Sequence, residues 1–199
     1  MKFHPSTMCT RFDSPMGPML AAASATGLAG LWFDDQRHFP DVALAWPDAP
    51  HHPVLVQTLR QLGEYFAGTR ITFDLPLDLQ GGTAFQQAVW QALLAIPPGS
   101  TTSYGRLSAA IGKPAAVRAV GSAVGRNPVG IIVPCHRVLG TDGSLTGYAG
   151  GLHRKAALLE LEGVPIGASP PQAQAKTRMT ARVKASTDSR PSPRTESLF

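Results

Sequence analysis

The stretch Pro134-Cys135-His136-Arg137-Val138 follows an apolar run at residues 130–133 and joins a thiol to an imidazole and a guanidinium. The thiolate is the nucleophilic form of cysteine, and a nearby base or cation lowers the pKa of the thiol. This pattern predicts a buried strand that ends at a nucleophilic Cys135. The residues alone leave a second interpretation open, because a free cysteine is more often an inert member of the core.

The segment before this motif is predicted to be helical. Thr83 is a candidate N-cap of a helix that runs to residue 96, and Ser103 of a second helix that runs to residue 111. After a glycine-containing turn, Pro114 opens a third helix over residues 115–124. Two short helices joined in this way indicate a helix-turn-helix, although many such hairpins bind nothing. The third helix carries Arg118 among small residues, so either DNA or a neighbouring helix could approach it closely.

The segment after the motif contains a glycine-rich loop at residues 140–151 and an amphipathic helix at residues 153–161, which ends at Glu162. Near the start of the chain, hydrophobic runs separated by turn residues predict three strands, at residues 9–13, 19–25 and 28–33. Apolar residues at helical spacing predict a helix over residues 54–67, and Gly68 is a plausible C-terminal cap. A strand over residues 72–79 contains Pro76 and is therefore expected at a sheet edge.

These elements predict three parts. Residues 1–80 form a small α+β domain, and residues 81–167 form a mostly helical domain that holds the motif. Residues 168–199 lack apolar periodicity and are rich in Ser, Thr, Pro, Gln and Arg. Such a composition cannot bury enough surface to offset the entropy of ordering, so we expect a disordered basic tail.

Charge is unevenly distributed along the 199 residues. The net charge is −3 over residues 1–80, +4 over residues 81–163 and +4 over residues 164–199. The basic middle segment could contact phosphates or could simply be a solvated face. With only two cysteines, no apolar span of membrane length and no signal-peptide pattern at the start, we expect a cytoplasmic protein with no membrane partner. Cys and His residues show no recognisable metal-ligand spacing, so we expect no metal and no cofactor.

The motif around Cys135 resembles the active-site signature of the O6-alkylguanine-DNA alkyltransferases, also called methylated-DNA–protein-cysteine methyltransferases. The resemblance extends over residues 9–165. Further segments fall in the family's order and spacing, namely Asp13-Ser14-Pro15, Phe85-Gln86-Gln87-Ala88-Val89-Trp90, Thr102-Ser103-Tyr104-Gly105, Ala119-Val120-Gly121, Asn127-Pro128, Gly147-Tyr148-Ala149-Gly150-Gly151-Leu152 and Leu158-Leu159-Glu160-Leu161-Glu162-Gly163.

This resemblance implies a ribonuclease-H-like N-terminal domain with a small sheet and a helix, followed by a winged-helix-like domain with a helix-turn-helix. It implies repair of duplex DNA by irreversible, single-turnover transfer of an alkyl group from O6-alkylguanine to Cys135, after base flipping. O4-alkylthymine is left open as a second substrate. His136 would take the thiol proton through a water, and Glu162 would orient His136. Asn127 would tie the recognition helix to the active-site segment, and Tyr104 would help guanine leave as a neutral base.

The resemblance also implies how DNA is held. Arg118 would fill the space left by the flipped base, with the recognition helix in the minor groove. The base pocket would be lined by Val133, Pro134, Tyr148, Ala149 and Gly150, and further contacts to DNA would come from Ser103, Lys113, Ala119 and Arg126. We expect a monomer that acts at the nucleoid, with cooperative binding to DNA left open.

Two departures from the family pattern are visible. Some members hold a zinc ion in the N-terminal domain, but here Pro5, Ser24 and Ala29 stand at matching positions, which again predicts no metal. Ala149 replaces a serine found in some members, so a hydroxyl contact to the base is lost.

Three other functions remain in competition. A damage sensor of the same fold would lack an acceptor thiol, so Cys135 argues against it. A helix-turn-helix regulator that responds to methylation would need a second DNA-binding module or a metal-binding cysteine cluster, and the sequence contains neither pattern. A Cys–His hydrolase is chemically possible, but no oxyanion-hole motif is evident.

Overall fold

A computed structural model describes residues 1–165 of the chain. It begins with an antiparallel sheet of strands β1 (Met8–Ser14), β2 (Gly17–Ser24) and β3 (Gly27–Phe33), in the order β1-β2-β3. The tight turns at residues 15–16 and 25–26 join neighbouring strands, as the turn residues predict. Gly27 is required at the second turn, since its φ is +155° and a Cβ there would lie 2.5 Å from the carbonyl oxygen of Pro76.

Helix α1 (Pro53–Phe66) packs on this sheet, and Gly68 follows it with a φ of +73°, as the sequence predicts. The predicted strand over residues 72–79 is wrong. Only Leu77 forms a bridge, to Leu28, through hydrogen bonds from Leu28 N to Pro76 O and from Asp78 N to Leu28 O. Pro76 has no N–H to extend the ladder, and Gln61 of α1 takes the backbone groups of Asp74 instead.

The second half of the described chain is mostly helical. It contains α2 (Ala84–Leu94), the short strand β4 (Thr102–Ser103), α3 (Tyr104–Ala110), α4 (Val117–Gly125), the short strand β5 (Val138–Leu139) and α5 (Leu152–Leu161). Strands β4 and β5 pair in parallel. Thr83 caps α2 in a capping box with Gln86, and Ser103 caps α3, as the sequence predicts. The third predicted helix begins later, because residues 114–116 form a 3₁₀ turn before α4.

One hydrophobic core connects the sheet, α1 and the helical half. Alternate residues of β2 point to opposite faces of the sheet. Met19 and Ala21 join this main core, whereas Leu20 packs on the other face with Trp32 and the aromatic residues around Trp46. The main core extends through Trp90 of α2 to Cys135 itself.

The apolar run at residues 130–133 is buried at Ile131, Ile132 and Val133, as expected, but it is not a strand. It consists of tight turns in which Ile131 has a φ of +67° and Ile132 N donates to Gly130 O. A β-branched residue with positive φ is rare and strained, so sequence patterns do not signal it.

Among the helices of the described part, none is long and apolar enough to cross a membrane. The predicted tail over residues 168–199 lies outside the described residues.

Candidate active site

Cys135 begins a single 3₁₀ turn, Cys135–Arg137, which leads into β5. Its side chain is buried, with only 7% of the residue exposed. Burial raises the pKa of the thiol, while a hydrogen bond from Asn127 and the charge of Lys155 act in the opposite direction. The thiol is therefore protonated at neutral pH and needs a base before it can act as a nucleophile.

The Asn127 side chain connects the end of α4 to the segment that carries the thiol. Its Nδ2 donates to Val133 O at 2.7 Å and to Cys135 Sγ at 3.2 Å, and its Oδ1 accepts from Val129 N at 3.1 Å. The residue is 6% exposed, so these bonds form away from water. The side-chain amide of Asn127 thus fixes the geometry of the turns before the thiol and donates a hydrogen bond to the sulfur.

His136 and Glu162 form a buried pair next to the thiol. His136 Nε2 lies 2.9 Å from Glu162 Oε1, and the two side chains are 0% and 1% exposed. Burial lowers the pKa of His136 although Glu162 opposes this effect, so the ring is neutral at pH 7. An ionised carboxylate only accepts, so the ring proton lies on Nε2. Nδ1 is then an unprotonated acceptor, and it is buried without a hydrogen-bond partner among the described residues.

Glu162 is held as a carboxylate. Burial alone would raise its pKa, but hydrogen bonds from His136 and Arg137 lower it to about 2. Arg137 Nε donates to Oε2 and Arg137 Nη2 to Oε1, both at 2.8 Å. Tyr65 OH donates to Oε1 at 2.9 Å. The carboxylate therefore stays charged at neutral and mildly acidic pH and orients the imidazole.

Lys155 of α5 is a buried cation beside the same site. It is 0% exposed, and its Nζ donates to the backbone carbonyls of Val138, Thr146 and Gly147. Burial lowers its pKa to about 8, and the nearby Cys135 opposes that effect. Lys155 thus holds the loop after β5 and supplies positive charge near the sulfur.

A cavity of about 210 Å³ opens between this loop and α4. Tyr104, Tyr148 and Ala149 line it, together with Arg37 and His38 of the loop after β3. Tyr104 OH donates to Gly147 O at 3.3 Å, and burial raises the pKa of Tyr104, with Cys135 contributing to the rise. The lining does not include Cys135, which lies in the core below.

Other predicted pocket residues lie around the cavity without lining it. Val133 and Pro134 are buried in the turns before the thiol, and Gly150 is buried in the loop. Arg154 connects Gly150 to the turn between β1 and β2. Its Nη1 donates to Gly150 O at 3.0 Å, and its Nε donates to Met16 O at 2.8 Å.

The residues predicted to contact DNA are spread over the surface near α4. Lys113, Arg118, Ala119 and Arg126 are all exposed, and Arg126 donates to Ser122 one helical turn earlier. Ser103 is half-buried, and its hydroxyl accepts from Arg106 N as the cap of α3. The structure thus brings Cys135, Asn127, His136 and Glu162 together and leaves the residues predicted to contact DNA separate from them. In residues 1–165, no cluster of His, Cys, Asp and Glu is arranged to hold a metal ion.

Comparison with known proteins accounts for this arrangement. The model of the "6-O-methylguanine DNA methyltransferase, ribonuclease-like domain" matches residues 7–79. The model of the "6-O-methylguanine DNA methyltransferase, DNA binding domain" matches residues 84–164. The chain belongs to the 6-O-methylguanine DNA methyltransferase family. The family and the enzyme class predicted from the sequence, methylated-DNA–protein-cysteine methyltransferase, are thereby confirmed.

Relatives from bacteria and archaea match this methyltransferase over most of their length. The methylated-DNA–protein-cysteine methyltransferase of Mycobacterium leprae is 49% identical over 154 residues, which is 77% of this chain and 91% of the relative. That of Methanosarcina acetivorans is 47% identical over 152 residues, 76% of this chain and 96% of the relative. The crystal structure of the Mycobacterium tuberculosis enzyme in complex with DNA is 48% identical, with a TM-score of 0.71, and the match covers 78% of this chain and 92% of that one.

Sequence reasoning missed three groups around this methyltransferase site. Arg137 stands in the signature itself, but nothing in the sequence indicates that its guanidinium and His136 reach the same carboxylate. Lys155 could have been found, since it shares the apolar face of α5 with Leu158 and Leu159 at spacings of three and four residues. Tyr65 gives no signal, because it lies 97 residues before Glu162.

Proposed function

We propose that this chain repairs duplex DNA by moving the alkyl group of O6-alkylguanine to the sulfur of Cys135. The observation that carries the proposal is the buried group of Asn127, Cys135, His136 and Glu162 in a chain of this family. Cys135 and His136 are successive buried residues, one a protonated thiol and the other a neutral imidazole. The imidazole Nδ1 has no partner among the described residues, so it is the proposed acceptor of the thiol proton, and an activated nucleophile requires such a base.

The transfer is a displacement at the alkyl carbon. The thiol proton leaves to His136 Nδ1, through a water, and Glu162 stabilises the imidazolium that forms. The sulfur then forms a bond to carbon as the bond from carbon to the guanine O6 breaks. The departing guanine takes the hydroxyl proton of Tyr104 and so leaves as a neutral base, and the proton released from the thiol to His136 returns to Tyr104 through solvent. The product is a thioether, which no group in the site can cleave, so each molecule reacts once.

The burial of the thiol supports base flipping. A guanine stacked inside a duplex cannot bring its O6 to a side chain that is 7% exposed, so the nucleotide must rotate out of the helix. The cavity lined by Tyr104, Tyr148 and Ala149 is the proposed base pocket, because burial raises the pKa of both tyrosines and Cys135 lies near enough to add to this rise. Val133, Pro134 and Gly150 would contribute backbone groups there.

The surface around α4 is the proposed DNA interface, with α3 and α4 acting as a helix-turn-helix in the minor groove. Arg118 is exposed beside Ala119, so its guanidinium could enter the stack while the helix approaches closely. Lys113 and Arg126 are exposed cations suited to phosphates. We expect the protein to act in the cytoplasm, at the nucleoid, as a monomer.

The experiment is to incubate the protein with a duplex that carries one O6-methylguanine and to measure its intact mass and peptide map. We expect one added methyl group on Cys135 and none on Cys9, which provides an internal control thiol. Cys135→Ala should gain nothing, and Cys9→Ser should react as the wild type does. Loss of the damage with an unmodified Cys135, or binding of the duplex without transfer, would reject the proposal. A parallel duplex with O4-methylthymine decides whether that base is also a substrate.

Base flipping has its own test in Arg118→Ala. The variant should lose far more activity on duplex DNA than on the same strand alone, since a single strand needs no filling of a vacated stack. Equal losses on the two substrates would reject the role of Arg118.

A further inference from the structure

Tyr65 connects the N-terminal half of the chain to the proposed catalytic carboxylate. It lies in the last turn of α1, is 1% exposed, and packs its ring against Phe66 and Phe73, with centroid distances of 5.6 and 5.3 Å. Its hydroxyl donates to Glu162 Oε1 at 2.9 Å. Burial and the charge of Glu162 raise the pKa of Tyr65, so the hydroxyl remains a neutral donor.

The two oxygens of Glu162 accept different numbers of hydrogen bonds. Oε1 accepts from three donors, which are His136 Nε2, Arg137 Nη2 and Tyr65 OH, whereas Oε2 accepts only from Arg137 Nε. His136 and Arg137 both reach the carboxylate from the short turn that carries the thiol. Tyr65 approaches Oε1 from α1, so it fixes that oxygen independently of this turn.

We propose that Tyr65 is a positioning residue for alkyl transfer, whose hydroxyl holds Glu162 Oε1 on His136 Nε2 and shares the negative charge of that oxygen. This inference rests on the proposed function. By keeping the ring proton on Nε2, Tyr65 preserves Nδ1 as the acceptor of the thiol proton. By taking part of the charge on Oε1, it limits how strongly Glu162 stabilises a protonated His136 before the substrate arrives.

Tyr65→Phe tests the proposal with little change in shape. Without the hydroxyl, Oε1 carries more charge and favours the imidazolium, so the pKa of His136 should rise. Less of the neutral base is then present, and the acidic side of the pH–rate profile should move to higher pH. We expect transfer to be slower by up to about fivefold at the acidic end of the profile, where His136 is mostly protonated, and the gap to close by pH 8.5. The loss should be equal on duplex and single-stranded substrates, because Tyr65 acts on the thiol proton and not on DNA.

Thr58→Val is the matched control. Thr58 lies on the same helix, is 0% exposed, and donates its hydroxyl to Val54 O at 2.7 Å within that helix. This variant also removes one buried hydroxyl from α1, so it should lower stability while it leaves the pH–rate profile and the titration of His136 unchanged.

An NMR titration of labelled His136 supplies a readout that does not require transfer. The titration keeps the two proposals distinguishable. If the wild-type protein gains no methyl group, the proposed function is rejected. If the wild-type protein is methylated but the pKa of His136 does not change in Tyr65→Phe, only the role of Tyr65 is rejected. A wild-type pH–rate profile in Tyr65→Phe, or a loss confined to duplex DNA, would also overturn that role. If Tyr65→Phe does not fold, 3-fluorotyrosine at position 65 strengthens the donor and should lower the pKa of His136. A His136 titration that fails to move in this direction counts against the proposal equally.

Discussion

Replacement of Asn127 by alanine removes one amide from beside the thiol and should affect rate and stability separately. In the intact protein, Nδ2 donates to Cys135 Sγ at 3.2 Å, and this bond favours the thiolate. A hydrogen bond to a charged acceptor contributes about 1.5–3 kcal/mol. Since about 1.4 kcal/mol corresponds to a factor of ten, alkyl transfer at pH 7.5 should be slower by about 10- to 100-fold.

The dependence on pH identifies the cause. Asn127→Ala raises the pKa of Cys135 further, so the variant holds less thiolate at neutral pH but reaches full ionisation in more alkaline solution. The gap in rate should therefore narrow once the pH exceeds the pKa of the wild-type thiol. Single-turnover transfer from an O6-methylguanine duplex, quenched at intervals and followed by loss of the modified base, measures the rate at each pH.

Stability should fall for a different reason. Val129 N donates to Asn127 Oδ1 and loses this partner, which leaves a buried N–H unsatisfied at a cost of about 1–3 kcal/mol. Val133 O keeps the hydrogen bond from Cys135 N, so losing Nδ2 costs only the net value of one bond, about 1 kcal/mol. Urea unfolding should thus show a loss of about 2–4 kcal/mol for Asn127→Ala.

Asn127→Asp has the same shape and tests the charge alone. It retains an acceptor for Val129 N but sets a carboxyl group against the sulfur, so its rate at pH 7.5 should be no higher than that of Asn127→Ala. The reasoning is refuted if the rate of Asn127→Ala lies within threefold of the wild type, or if the rate gap is constant across the pH range.

Three further predictions follow from individual contacts. Glu162 should remain ionised at pH 3.5 in a carboxyl NMR titration, because its pKa falls from 4.5 to about 2. This shift contributes about 3 kcal/mol to the free energy of unfolding. The contribution is present above pH 4.5 and is lost as the pH falls towards 2. Titration at an ordinary glutamate pH would contradict this. Lys155→Met removes positive charge from beside Cys135 and should slow transfer at pH 7 several-fold. The difference between the wild-type and variant rates should narrow above pH 8, because Lys155 itself loses its proton there. A rate deficit that does not change with pH would count against the electrostatic role. Gly27→Ala forces a Cβ to 2.5 Å from Pro76 O at a positive φ, so urea unfolding should show a loss of at least about 2 kcal/mol, and an unchanged midpoint would show that the turn can relax.

The sequence predicts those parts of the fold that depend on local chemistry. Thr83 and Ser103 start helices because their side chains satisfy free N–H groups within the same turn, and this pattern can be seen over four residues. The three N-terminal strands are equally visible, since turns separate runs of the right length. The predicted strand around Pro76 is wrong because a residue distant in sequence, Gln61, forms hydrogen bonds with the backbone of Asp74.

The site is less predictable than the fold. Cys135 and His136 are adjacent in the signature, and the resemblance to a family supplies Asn127 and Glu162. The donors that hold Glu162 in place depend on tertiary packing instead. Tyr65 of α1 reaches Glu162, at the end of α5, only because the two helices pack on the same core. Arg137 reaches the same carboxylate from the turn that carries the thiol, and no local pattern indicates either contact.

The tight turns before the thiol have a consequence for how the site can open. The amides of Val129, Ile132, Val133 and Cys135 all donate to acceptors within residues 127–133, and the segment is buried. Exchange of these amides with deuterated solvent should therefore require disruption of the core and be among the slowest in the protein. We therefore expect the sulfur to lie on a part of the molecule that stays ordered during local fluctuations. We predict that an opening of the site comes instead from the glycine-rich loop at residues 140–151, most of which is exposed or half-buried, so its amides should exchange more quickly.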